Sequence, residues 1–213
     1  MPPTSPARRL LRPAAFFLAL APLAYLVWQA FDGRLSANPI DDITDTTGTW
    51  TLRFVLITLA IRPVRRLPGL AAIGSLRRMT GLFAFFYGVL HLTTYLWLDQ
   101  FFDVPAILKD VAKRPFITAG VTAFLLMVPL ALTSTQGMMR RLGGARWKAL
   151  HRLVYVTAIG GVIHYLWLVK ADRHRPLIYG AILALLLGYR AWEAARSRRG
   201  TPPTPTTTNH GTI

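Results

Sequence analysis

Three histidines stand inside long apolar runs, where an ionisable side chain is costly and marks a site. His151 and His164 lie 13 residues apart in ALHRLVYVTAIGGVIHYLWLV, and His91 lies in RRMTGLFAFFYGVLHLTTYLWL. Histidine is a common axial ligand of haem iron. Thirteen residues of helix rise about 20 Å, most of the ~30 Å hydrocarbon layer of a bilayer. That spacing suits two haems placed one above the other across a membrane. The plainer alternative is three histidines satisfied within a packed core.

The chain has no cysteine. Disulfides, thiolate nucleophiles, iron–sulfur clusters and the covalent C-x-x-C-H haem attachment are thereby excluded, so any haem is non-covalent, of b type. No Walker lysine motif, no strand followed by a glycine-rich loop and no pair of intramembrane carboxylates is present, so a nucleotide site of Rossmann type is not expected.

These residues need elements to position them. Of the 213 residues, 53% are hydrophobic and only 16% charged, the composition of an integral membrane protein. The reading is an all-α, polytopic bundle of six spans, approximately 13–31, 48–67, 79–98, 116–134, 149–169 and 177–194. They form one transmembrane domain over 13–198, preceded by an arm over 1–12 and followed by a low-complexity tail, 199–213, expected to be disordered. The first span begins like a secretory signal, but its apolar stretch runs on to Phe31 without a polar break, which predicts a retained span. The second is the weakest, with Arg53 near one end and Arg62-Pro63 near the other, which predicts snorkelling at both.

Charge orients the bundle. Of the 25 Lys and Arg, 17 fall in the N-terminal arm, the segments joining spans 2–3 and 4–5, and the C-terminal arm. Eight of the nine acids fall on the other side, with only Glu193 among the basic segments. The positive-inside rule then puts both termini in the cytoplasm. The net charge of +16 is explained by orientation and by anionic membrane lipid, without any nucleic acid.

Orientation gives each histidine a depth. Spans 3 and 5 both run outward, so His91 and His164 share the outer half and can reach one haem from opposite sides. His151 lies near the cytoplasmic face. The position facing it on span 3 is occupied by Arg77, Arg78 and Met79. Arg77 is the first expectation for proximity to an inner haem, where it can hold a propionate, and Met79 the second, as a thioether ligand. A residual problem is rotational: 13 residues at 100° each leave His151 and His164 about 140° apart. Gly160-Gly161 can recover the alignment by a kink, or can serve helix packing. Trp28, Trp50, Trp97, Trp167 and Trp192 fit an interfacial aromatic belt; His174 and His210 read as solvated.

The runs RRMTGLFAFFYGVLHLTTYLWLD, KRPFITAGVTAFLLMVPLALTSTQGMMRRLG, RWKALHRLVYVTAIGGVIHYLWLVKAD and PLIYGAILALLLGYR resemble the MsrQ family, formerly YedZ, over about residues 48–192. Its members are haem-binding membrane subunits of bacterial methionine sulfoxide reductase systems, similar to the transmembrane core of ferric reductases and NADPH oxidases. The resemblance implies two b haems with His91, His151 and His164 as iron ligands, and FMN as a further cofactor. It implies the bacterial inner membrane, a quinone or a cytoplasmic flavin reductase as electron donor, and the periplasmic molybdopterin subunit MsrP as acceptor, for repair of oxidised proteins. The chain departs from the oxidase pattern in lacking a fourth histidine on span 3, and the resemblance assigns no residues to FMN. Two other readings are a stand-alone transmembrane ferric or metal reductase, and a haem-free transporter or scaffold.

Overall fold

Residues 6–199 are described by a computed structural model. Among them there is no strand. Helix α1 spans Pro6–Phe31 and α2 Pro39–Val64; a 3₁₀ turn, Ala71–Leu76, leads into α3, Arg77–Thr93, which continues as a π-helical segment, Thr94–Asp99. Then come α4 (Val104–Lys113), α5 (Pro115–Leu132), the short α6 (Gln136–Leu142) and α7 (Gly144–Leu150), α8 (Leu153–Leu168) and α9 (His174–Arg199). The first five residues of the expected arm, and the expected tail beyond Arg199, lie outside the described residues; the rest of the arm is helical from Pro6.

Among the described residues, five segments are long and apolar enough to cross a membrane: Leu10–Phe31, Ala71–Asp99, Pro115–Leu132, Gly144–Leu168 and His174–Ser197. Helix α2 is as long as α1 but more polar, and packing supplies the reason. Phe54, Val55 and Leu56 are all buried, as are Leu52, Leu59 and Ile61. Consecutive buried residues cannot share one helical face, so protein surrounds α2 on several sides. A helix shielded from lipid does not need an apolar outer surface.

The start of α2 differs from the expected second span. The helix opens nine residues earlier, at Pro39, a residue favoured in the first turn, with Asp41 and Asp42 near its positive end. Arg53 therefore sits mid-helix and not at a snorkelling end. Its Nε donates to the Tyr179 hydroxyl of α9 at 2.9 Å, and its guanidinium lies 4.7 Å from the Trp50 ring centre.

Two helix pairs dominate the packing, α2 against α3 and α5 against α8. Helix α1 is braced to the first pair by Tyr87, whose side chain is fully buried. The Tyr87 hydroxyl donates to the Ala19 carbonyl at 2.9 Å and accepts from the Leu23 amide at 3.2 Å. In an unbroken helix those two groups would bond each other. The inserted hydroxyl sits beside Pro22, where the ladder already lacks a donor.

Candidate functional site

The two helix pairs each carry one histidine of the outer site, and they hold it the same way. His91 on α3 has Nδ1 3.0 Å from the Thr44 carbonyl of α2. His164 on α8 has Nδ1 2.6 Å from the Phe116 carbonyl of α5. A carbonyl only accepts, so Nδ1 carries the proton in both rings and Nε2 keeps its lone pair. Among the described residues no hydrogen bond reaches either Nε2. That is the state a metal-ligating histidine requires, with the opposite nitrogen fixing tautomer and ring orientation.

Each ring also rests on a glycine four residues beyond the accepting carbonyl. A Cβ built on Gly48 would lie 2.8 Å from Cε1 of His91, and one on Gly120 would lie 2.7 Å from Nδ1 of His164. Any side chain at either position would displace the ring. The sequence singles out Gly160 and Gly161, whereas Gly48 and Gly120 pass unnoticed in it. The only trace in the sequence is a repeated spacing, Thr44-x-x-x-Gly48 and Phe116-x-x-x-Gly120, on the segment before each histidine span. It becomes meaningful only when the partner helix is known.

The structure brings His91 and His164 together, with ring centres 6.0 Å apart and planes at 77°. A metal between two imidazoles at the usual bond of about 2.0–2.1 Å, with each nitrogen about 1 Å from its ring centre, sets centroids about 6 Å apart. The outer pair therefore fits a bis-histidine iron site. The π-helical segment begins three residues after His91, in keeping with the occurrence of such segments at functional sites.

His151 lies elsewhere, in a cavity of about 620 Å³ that Arg77, Arg78 and Met79 also line. The residues expected around an inner haem thus converge on one space, within the volume range of ligand pockets. Arg12, Ser134 and Gln136 add polar groups, and Val55, Leu130 and Val154 add apolar walls. Thr157 lines the same cavity, and its Oγ1 is sealed from solvent with no hydrogen-bond partner. A cavity with an unsatisfied hydroxyl, a histidine and several guanidinium-bearing residues fits an amphiphilic ring with acidic substituents, as haem is.

The inner ring is held differently. His151 Nε2 is 3.1 Å from the Thr133 hydroxyl, which donates to the Pro129 carbonyl at 2.6 Å. Trp147 stacks on the imidazole with centroids 3.9 Å apart and donates Nε1–H to the Thr133 carbonyl at 2.9 Å.

Helix α8 continues as an α-helix through Gly160-Gly161, without the bulge that could recover the alignment. His151 is not in α8; it caps the end of α7. The junction is tightened by bonds from Arg152 N to the Ala149 carbonyl and from Tyr155 N to the Arg152 carbonyl. Such turns rotate more per residue than an α-helix, so an even 100° step does not carry from His151 to His164. Gly160 and Gly161 serve packing: a Cβ on the first would meet Ala123 at 3.2 Å, and on the second Leu52 at 3.5 Å.

Residues 46–162 match the family described as ferric reductase like transmembrane component. A protein of Herminiimonas arsenicoxydans named protein-methionine-sulfoxide reductase heme-binding subunit MsrQ is 52% identical over 199 residues, covering 92% of this chain and 91% of the relative. The chain belongs to the MsrQ family. Relatives bearing the same name in Azospira oryzae and Rhodospirillum rubrum are 52% and 53% identical, over 91% and 90% of this chain and 85% and 92% of their own lengths. No solved structure matches. The MsrQ assignment makes this a multi-pass membrane protein of ferric reductase-like architecture. The matched region starts two residues after Thr44 and ends two residues before His164, so it takes in most of both helix pairs.

Proposed function

We propose that this chain is the haem-binding, electron-transferring membrane subunit of a protein-methionine-sulfoxide reductase system. The observation that carries the reading is the outer pair, two histidines on different helices with Nδ1 tied to main-chain carbonyls and centroids 6.0 Å apart. The names of the relatives supply the physiological context. His91 and His164 would hold one b haem, and His151 a second, with Arg77 or Met79 beside it. Bound haem supplies reversible one-electron chemistry.

The protein's own residues do the rest. The carbonyls of Thr44 and Phe116 keep Nε2 of each outer histidine unprotonated and aimed by the backbone. The inner cavity provides cationic side chains for acidic substituents and an apolar wall for a planar ring. In this reading six helices span the bacterial inner membrane with both termini cytoplasmic, α2 included. Electrons come from quinol or a reduced flavin on the inner side and go to a periplasmic molybdopterin reductase, MsrP, which repairs oxidised proteins. FMN is the further cofactor of this reading, without assigned residues.

The test is the visible spectrum of the purified, chemically reduced protein after expression with ample haem. The expected result is the sharp band of low-spin b haem; a colourless protein overturns the proposal. Reduction of external ferric chelate with the periplasmic reductase left unreduced would instead favour a stand-alone metal reductase.

A further inference from the structure

The loop between the third and fourth apolar spans carries a strained and exposed aromatic pair. Phe101 and Phe102 have φ of 47° and 58°, the left-handed region that bulky residues avoid and glycine accepts. The geometry has a local cause. The π-helical segment ends with the Gln100 amide bonded to the Tyr95 carbonyl and the Phe102 amide bonded to the Leu96 carbonyl at 2.8 Å, so the chain folds back over the helix end through two positive-φ positions of the kind glycine usually fills. Two phenylalanines stand there instead, 79% and 59% exposed. Most of the surface of each lies outside the protein, which leaves little packing to offset the strain.

Helix α4 follows at once and extends the same surface. Val104 and Leu108 are 59% and 64% exposed, while Asp110 on the other side is turned inward, paired with Arg114 at 3.4 Å. Lys109 and Lys113 are exposed beside the apolar residues. The helix is pinned to the bundle by the bond from the Thr118 hydroxyl to the Val111 carbonyl. Both ends of this segment join directly to membrane spans, at Asp99 and Pro115. Trp97, 58% exposed, continues the apolar surface onto the lipid-facing span itself.

We infer that Phe101, Phe102 and the Val104–Leu108 face of α4 form an interfacial anchor, inserted at the headgroup–acyl boundary of the outer leaflet. Its partner is lipid. Continuity with the lipid-facing Trp97 fixes its depth, and Lys109 and Lys113 are placed to meet phosphates. The anchor also has a structural use. Helix α4 runs into the turn whose Phe116 carbonyl holds His164, so lipid would steady the outer rim of the histidine pair.

The absence of native cysteine makes the test direct. Single cysteines are introduced in the full-length protein as Phe102→Cys, Leu108→Cys and Lys109→Cys, spin-labelled, and reconstituted in phosphatidylcholine vesicles. Accessibility to oxygen is compared with accessibility to a water-soluble nickel chelate. Labels at 102 and 108 should favour oxygen at least threefold over the label at 109. Equal nickel access at all three positions overturns the anchor. So does nickel access that disappears only when a soluble periplasmic protein is added, which would make the surface a protein-docking face.

Discussion

His91 and His164 are each fixed through Nδ1 by a main-chain carbonyl, whereas His151 is fixed through Nε2 by the Thr133 hydroxyl. The outer arrangement depends on backbone atoms and on two missing side chains, at Gly48 and Gly120. The inner one depends on side chains that can be exchanged, Thr133 and Trp147. The comparison teaches that the two sites are specified to different degrees. In the outer site helix packing alone sets which nitrogen is left free of hydrogen bonds and where the ring stands. In the inner site the ring is set by a neighbour's hydroxyl and an aromatic stack, inside a cavity whose lining also offers Arg77, Arg78, Met79 and Met127.

The strongest way to break this division is to remove the ligands one at a time. His91→Ala and His164→Ala should each abolish the same outer haem signal, while His151→Ala should leave that signal and remove the other. Redox-titrated visible and paramagnetic resonance spectra, with haem content per polypeptide, check the outcome. If all three substitutions erased one common signal, the separation of the 6.0 Å pair from the His151 cavity would have no functional meaning.

Much of this was legible in the sequence. The apolar runs marked the helices, and the depths expected from charge paired His91 with His164, whose rings the structure brings together. The same depths placed Arg77 and Met79 beside His151, and the cavity contains all three. What the sequence concealed was lateral. The role of Gly48 depends on α3 lying against α2, and that of Gly120 on α8 lying against α5. Those are contacts between residues more than forty positions apart. Hydropathy also understated α2, because it measures suitability for lipid and α2 is largely wrapped in protein. The break at His151 was hidden because Leu150-His151-Arg152-Leu153 contains neither proline nor glycine, so the stretch reads the same whether the helix is continuous or re-started.

An intermediate effect is expected from the seats of the outer rings. Gly48→Ala and Gly120→Ala would each place a methyl group under 3 Å from the imidazole, and overpacking of this kind costs about 1–3 kcal/mol. Since 1.4 kcal/mol is about tenfold in an equilibrium constant, outer haem retention should fall by roughly an order of magnitude in each. The inner signal should remain intact. Competition for released haem by an apo-globin measures this directly. Equal weakening of both haems would show that the glycines support the bundle in general and not the outer rings.

The smallest effect sharpens the comparison most, because it touches only the hydroxyl that separates the two designs. Thr133→Val keeps the shape of the side chain and the main-chain carbonyl that receives Trp147, but deletes the contact to His151 Nε2. If that contact orients the inner ring, its loss should shift the inner midpoint potential by a few tens of millivolts, since a neutral hydrogen bond contributes about 0.5–1.5 kcal/mol. The outer potential should not move, because its histidines are bonded to α2 and α5 carbonyls that the substitution leaves in place. An unchanged inner potential would mean that the Trp147 stack alone sets the ring. A shift in both would mean that the end of α5 couples the two levels through the single helix on which Phe116 and Pro129 both lie.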